Sequence, residues 1–228
     1  MTLLLLHGAL GARSQLAPLA AIVAPRRVVH QVEFEGHGET PGRSRAFSVS
    51  GFVENVVASL DAAGLERVDV FGYSLGGYVA LCFALAHPQR VSSITTLGTK
   101  FAWTPAFAAG EVAKLDATTI RDKVPAFASD LERRHAGAGG WESTLARTAP
   151  LLTELGARPL LGDDELARIQ NRVRIMVGDR DTTVSVEESA AAYRALPSGE
   201  LMVLPRTQHP IERVDVYRLA DVLIELTS

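Results

Sequence analysis

One cysteine, Cys82, stands in 228 residues. No intrachain disulfide can form, so the fold must hold by packing. Cys82 lies in an apolar, helix-like run and reads as a small buried hydrophobe, not a reactive thiol. Basic blocks are missing too. Lys and Arg number 23 against 26 Asp and Glu, a net charge of −3, which argues against a nucleic-acid partner. There is no long hydrophobic run. The opening Leu3-Leu4-Leu5-Leu6 is too short to span a bilayer and has neither a basic leader nor a cleavage site. The expectations are no membrane partner, no signal peptide and a cytoplasmic location. The histidines are scattered, without His-x-x-x-His or paired-cysteine spacing, so no metal site is expected. Neither Gly8-Ala9-Leu10-Gly11 nor Gly36-x-Gly38 completes a Gly-x-Gly-x-x-Gly fingerprint, so no cofactor is expected. Internal repeats and low-complexity tracts are absent.

What is there is a globular composition, 47% hydrophobic and 21% charged, enough for one core with an inserted subdomain. Strand-like and helix-like runs alternate. Leu3–Leu6 reads as a buried strand ending at His7-Gly8. A helix over Gln15–Val23 and a strand over Val28–Phe34 follow. After a glycine-rich loop at 36–42, Ser50–Ala63 places Phe52, Val53, Val56, Val57 and Leu60 on one helical face, with Gly64 as its stop. Val68–Phe71 is a strand, Leu75–His87 a helix stopped by Pro88, and Val91–Leu97 a strand. Residues 100–170 break the alternation with helix-like runs at Glu111–Leu115, Ile120–Arg134 and Trp141–Leu155. Val173–Val177 (strand), Val186–Leu196 (helix), Leu201–Leu204 (strand) and Ile211–Leu226 (helix) complete the chain. Repeated strand-helix units predict an α/β fold with a mostly parallel sheet covered on both faces.

Gly72-Tyr73-Ser74-Leu75-Gly76 lies where a strand gives way to a helix. Small residues on each side allow a tight turn, from which the serine oxygen projects at the end of the sheet. The Leu75 N–H lies at a helix N-terminus, where a free amide can receive an oxyanion. A serine hydroxyl is a weak nucleophile and needs a histidine to take its proton and a carboxylate to orient that histidine. Later loops offer Asp179 or Asp181 in Gly178-Asp179-Arg180-Asp181, and His209 in Thr207-Gln208-His209-Pro210. Both loops follow strands, at the edge where open parallel sheets bind ligands.

The order Ser74, Asp181, His209, with His7-Gly8 after the first strand and Gly36-His37-Gly38 in the next loop, resembles the α/β-hydrolase superfamily in its serine-nucleophile branch. The resemblance covers nearly the whole core. It implies Ser74 as nucleophile, His209 as general base then acid, and Asp181 as orienting carboxylate. It favours Asp181 over Asp179 through the family's Gly-x-x-Asp position. It also implies an oxyanion hole from the Leu75 and Ala9 N–H groups, with Leu10 a weaker second donor. Among the other histidines, His7 is expected to brace the loop after the first strand, His37 to pack in its loop, and His87 to cap a helix. His135 is expected to be exposed, and His30 has no evident role.

The resemblance implies a core of residues 1–99 and 171–228, with a small helical cap, 100–170, inserted after the family's sixth strand. The two leading strands common in the family have no room here, which leaves about six strands and the first one close to an edge. A dimer would cover that edge, so monomer and homodimer both stay open. Leu10, Tyr73, Phe101 and Trp103 are expected to line the substrate pocket. The leading expectation is a cofactor-free, carboxylesterase-like serine hydrolase. It would cut a small ester or thioester through an acyl-enzyme. Carbon–carbon bond hydrolysis, perhydrolysis, a hydrolase-like receptor with little turnover and a protein-interaction module remain alternatives.

Overall fold

The computed structural model describes residues 1–225. Six strands form one sheet: β1 (Leu3–Leu6), β2 (Val29–Val32), β3 (Val68–Tyr73), β4 (Val91–Leu97), β5 (Arg172–Gly178) and β6 (Gly199–Leu204). Their order is β2-β1-β3-β4-β5-β6, and every pairing is parallel. The expected six-stranded sheet is therefore present, with β1 one strand in from the β2 edge.

The four leucines of β1 explain both layers. Successive strand side chains point to opposite faces. Leu4 and Leu6 join the core under α2 (Val49–Ala62) and α3 (Leu75–Ala86), with α9 (Val186–Ala195) on the same face. Leu3 and Leu5 join the core under α1 (Arg13–Val23) and α10 (Val216–Glu225). A strand covered on both faces must be apolar throughout, so it reads as an unbroken run rather than an alternation.

Helix boundaries depart from expectation where caps and prolines act. The expected Ile120–Arg134 helix is two, α5 (Ala117–Lys123) and α6 (Pro125–Arg134). Pro125 cannot donate a backbone bond and drives Val124 out of helical geometry, to φ −138° and ψ 58°. The expected Glu111–Leu115 helix is instead α4 (Pro105–Ala113), started by the Thr104 side chain accepting the Phe107 N–H and by Pro105 in the first turn. Helix α7 (Trp141–Ala157) lies where expected, and a short α8 (Asp163–Ala167) follows it, beyond the expected helical runs. The expected second strand shrinks to Val29–Val32, and Val28 is 70% exposed. The last expected helix divides into a single turn at Ile211–Arg213 and α10, while its final residue, Leu226, lies outside the described residues.

The chain between β4 and β5 forms a helical insert, α4 to α8, tied down where it leaves the sheet and where it returns. Glu188 on α9 accepts the backbone N–H groups of Phe101 (3.0 Å) and Ala102 (3.2 Å) and pairs with Lys100 at 2.7 Å. On the return side the Tyr78 hydroxyl, from α3, accepts the N–H groups of Leu160 (2.8 Å) and Leu161 (3.1 Å).

Candidate active site

Ser74 sits between β3 and α3 at φ 53° and ψ −119°, a conformation that side chains rarely adopt. The turn survives because glycines stand two residues to either side of it, at Gly72 and Gly76. A Cβ on Gly76 would lie 2.4 Å from the Leu6 carbonyl oxygen, so only glycine lets α3 start this close to β1. The Ser74 N–H donates to Leu97 O at 2.8 Å, which pins the turn to β4.

Three loops at one edge of the sheet bring the candidate side chains together. His209 Nε2 lies 3.2 Å from Ser74 Oγ, and His209 Nδ1 lies 2.7 Å from Asp181 Oδ2. The other Asp181 oxygen accepts the N–H groups of Thr183 and Val184, each at 2.8 Å. Burial opposes charge on Asp181. The hydrogen bonds and the facing His209 prevail and hold its carboxyl below the ordinary range. Strand β4 separates β3 from β5, and its end must leave room for this line of groups. Gly98 supplies it: a Cβ there would meet the His209 ring at 3.1 Å. Asp179 points elsewhere and accepts the Thr207 N–H at 3.1 Å, tying the loops after β5 and β6 together. Tyr73 donates its hydroxyl to His209 O at 3.1 Å.

The loop after β1 faces Ser74 from the other side. A Cβ on Gly8 would lie 3.1 Å from the serine Cβ. Among the described residues, the Ala9 and Leu75 N–H groups meet no protein acceptor. His7 braces this loop as expected, with Nδ1 2.9 Å from Gly8 O and Nε2 accepting the Phe34 N–H at 3.1 Å. With Nε2 an acceptor, the neutral ring must carry its proton on Nδ1. Burial lowers its pKa to about 4.

His37 is buried and stacks on Phe47, as a packing residue does. His87 terminates α3, its N–H donating to Phe83 O at 2.8 Å. His30 meets Ser59 Oγ at 2.8 Å and so ties β2 to α2. Cys82 packs against the core, and burial pushes its thiol up to about 12. His135 corrects its expectation. It is fully buried, because the joint between α6 and α7 folds down onto the loops after β1 and β2.

Above Ser74 lies a cavity of about 440 Å³. Ala9, Leu10, Tyr73, Ser74, Leu75 and His209 line it from the core, and Trp103, Phe107, Leu115, Phe127 and Leu152 line it from the insert. Phe101 does not line it. It is 8% exposed and packs into the α3 face of the core, because Glu188 draws its backbone inward. The charged lining groups are paired: Lys100 with Glu188, Lys114 with Glu111, and Arg134 with Glu212. Tyr78 and Glu188 are structural contributors that sequence reading missed. The available signal was a tyrosine inside an apolar helix and the Ser185-x-x-Glu188 capping box. Among the described residues, no cluster of three His, Cys, Asp or Glu is placed to hold a metal, and no helix is long and apolar enough to cross a membrane.

A profile for the alpha/beta hydrolase fold matches residues 2–211. The chain is 30% identical to a pimeloyl-[acyl-carrier protein] methyl ester esterase of Chromobacterium violaceum, over 90% of this chain and 83% of that protein. It is 24% identical to a 2-hydroxymuconate semialdehyde hydrolase of Pseudomonas putida, over 76% of this chain and 66% of that enzyme. Among solved structures, a thermophilic esterase from Thermogutta terrifontis superimposes with a TM-score of 0.80, at 19% identity, covering 99% of this chain and 89% of that one. The chain belongs to the alpha/beta hydrolase family and is a hydrolase of that fold.

Proposed function

We propose that the chain is a cofactor-free serine hydrolase that cleaves a small, uncharged ester or thioester through an acyl-enzyme. The observation that carries this reading is the unbroken line Ser74 Oγ, His209, Asp181 beneath a mostly apolar cavity. His209 Nε2 takes the Ser74 proton as the oxygen attacks the substrate carbonyl, then gives it to the departing alkoxide or thiolate. Water, deprotonated by His209, attacks the acyl-serine; the acid leaves and Ser74 regains its proton. Asp181 keeps the imidazole proton on Nδ1 and stabilises the imidazolium. The free N–H groups of Ala9 and Leu75 are the oxyanion donors, and each such donor contributes about 3–4 kcal/mol by precedent. Residues 100–170 act as the cap that supplies the acyl-side wall. The cations that line the cavity, Lys100, Lys114 and Arg134, are already paired with carboxylates, which favours a neutral acyl group over an anionic one.

Hydrolysis of a carbon–carbon bond beside a ketone by the same side chains is the second reading. The Pseudomonas putida relative supports it, since a hydroxymuconate semialdehyde contains no ester bond to cut.

A fluorophosphonate probe followed by peptide mapping tests the assignment. One adduct, on Ser74, is expected, with loss of both labelling and turnover in Ser74→Ala. An unlabelled wild-type chain, or unchanged hydrolysis in the variant, would sink it. An ester, thioester and vinylogous-diketone panel then separates the two readings.

A further inference from the structure

The loop after β1 is gripped from two sides. From the core, His7 Nδ1–H and the Gly11 N–H both donate to Gly8 O, at 2.9 and 3.0 Å. The Gly8 carbonyl and the Ala9 N–H share one trans peptide, so they point in opposite directions. Holding the carbonyl aims the N–H. From the insert, the Leu10 carbonyl receives His135 Nε2–H and Arg134 Nη1–H, each at 3.0 Å. Leu10 has φ 55°, a left-handed conformation that a leucine keeps only under constraint.

His135 links more than one loop. Its Nδ1 accepts the Gly38 N–H at 3.0 Å. That bond requires the neutral ring to carry its proton on Nε2, facing Leu10 O. The ring is fully buried, 5.8 Å from the His37 ring. His135 and Arg134 together hold a strained residue next to the Ala9 N–H, and the imidazole is the one of the two that also ties it to the Gly38 loop.

We propose that His135 is a positioning residue: by holding the Leu10 carbonyl, it keeps the Gly8–Gly11 loop in the shape that aims the Ala9 N–H at the oxyanion. That donor is then in place only while the insert is docked. The proposal rests on the serine-hydrolase reading and deepens it.

Two substitutions separate this role from simple packing. In His135→Asn the amide oxygen stands where Nδ1 was and keeps the Gly38 contact, but the imidazole donor to Leu10 O is gone and only Arg134 Nη1–H still holds that carbonyl. In His135→Gln the longer amide supplies the donor toward Leu10. With p-nitrophenyl butyrate, the Asn variant is expected to lose about ten- to a hundredfold in kcat with KM within about twofold, as a misaimed transition-state donor requires. The Gln variant should stay within about threefold of wild type. Equal kcat in the two variants, or a change confined to KM, overturns the positioning role. If the Asn variant melts below assay temperature, the Gln variant decides: retained kcat supports the role and a tenfold loss overturns it. Fluorophosphonate labelling of the wild type separates the two levels. An unreactive wild type overturns the hydrolase reading and the positioning role together. A reactive one with equal variant rates overturns the positioning role alone.

Discussion

At the residue scale, two aspartates two positions apart do different work. Asp181 faces His209 at 2.7 Å, whereas Asp179 accepts the Thr207 N–H. Asp181→Asn would replace the acceptor facing Nδ1 with an amide, favour the wrong imidazole tautomer and leave the shape nearly unchanged. The expected loss in kcat is on the order of 10³–10⁴-fold, with folding intact. Asp179→Asn keeps an oxygen for the Thr207 N–H and should cost less than about tenfold. A steady-state comparison of the two variants checks the ranking, and the reverse order would move the orienting role to Asp179. Local pattern singled out Ser74, His209 and the Asp179/Asp181 pair, since each stands in a short motif after a strand, while the preference for Asp181 came from the family resemblance. His135, Tyr78 and Glu188 were not legible in the same way. Their partners lie 97, 82 and 87 residues away in sequence, and no local spacing encodes such contacts. Phe101 shows the converse error, since position beside a strand end does not tell which way a side chain turns.

At the element scale, two helix glycines face opposite consequences. Gly76, in the first turn of α3, has the Leu6 and His7 carbonyl oxygens 2.4 and 2.5 Å from where a Cβ would stand. Gly110, within α4, has nothing within 4 Å. Gly76→Ala should push α3 off β1, dislodge the serine turn and cost more than about 2 kcal/mol of stability, since backbone on both sides cannot yield cheaply. Gly110→Ala should stabilise by about 0.5–1 kcal/mol through reduced unfolded-state entropy, raising the melting temperature by roughly 1–4 °C. Calorimetry on both variants measures the contrast, and a stable, active Gly76→Ala would refute the account of the turn. The inner strands β1, β3 and β5 were legible because a sheet covered on both faces demands short apolar runs. The insert helices were less so. Their starts depend on caps such as Thr104 and breaks such as Pro125, which act over three or four residues and outweigh hydrophobic spacing.

At the scale of the whole molecule, two clusters of buried polar groups stand at the two ends of β3. At its start, Asp69 is paired with Arg27 at 2.6 Å and accepts Ser93 Oγ–H at 2.6 Å, while Arg27 also donates to Leu223 O. That cluster joins β3, β4 and α10. Beyond the C-terminal end of β3 lies the Ser74 line, and beside it three buried histidines in ring contact, His7, His37 and His135. They knit the loops after β1 and β2 to the insert, and each serves as a neutral ring. Burial lowers the pKa of His7 to about 4, and it lowers those of His37 and His135 as well. The groups facing them are Glu33, Arg134 and Arg147, together with the rings themselves; Glu33 favours protonation and the arginines oppose it. In the unfolded chain each histidine takes a proton near pH 6.5, and in the folded chain it does not. A depressed folded pKa means that the stability is complete above pH 6.5 and is lost as pH falls toward the folded value. His7 alone accounts for a loss of roughly 3 kcal/mol by pH 4, and His37 and His135 add to it. Asp181 and Glu35 add a later loss. Burial opposes their charge, but hydrogen bonds from His209 to Asp181 and from Arg45 and Asn55 to Glu35 keep both below the ordinary carboxylate range. Denaturant titrations from pH 7.5 to 4 should therefore show stability falling from about pH 6.5, before the carboxylates begin to protonate. In the same window the His7 ring resonances of the folded protein should hold still above pH 5. A stability profile flat to pH 5 would mean that these rings already carry protons when folded, and the tautomers assigned to the loop after β1 would fall with it.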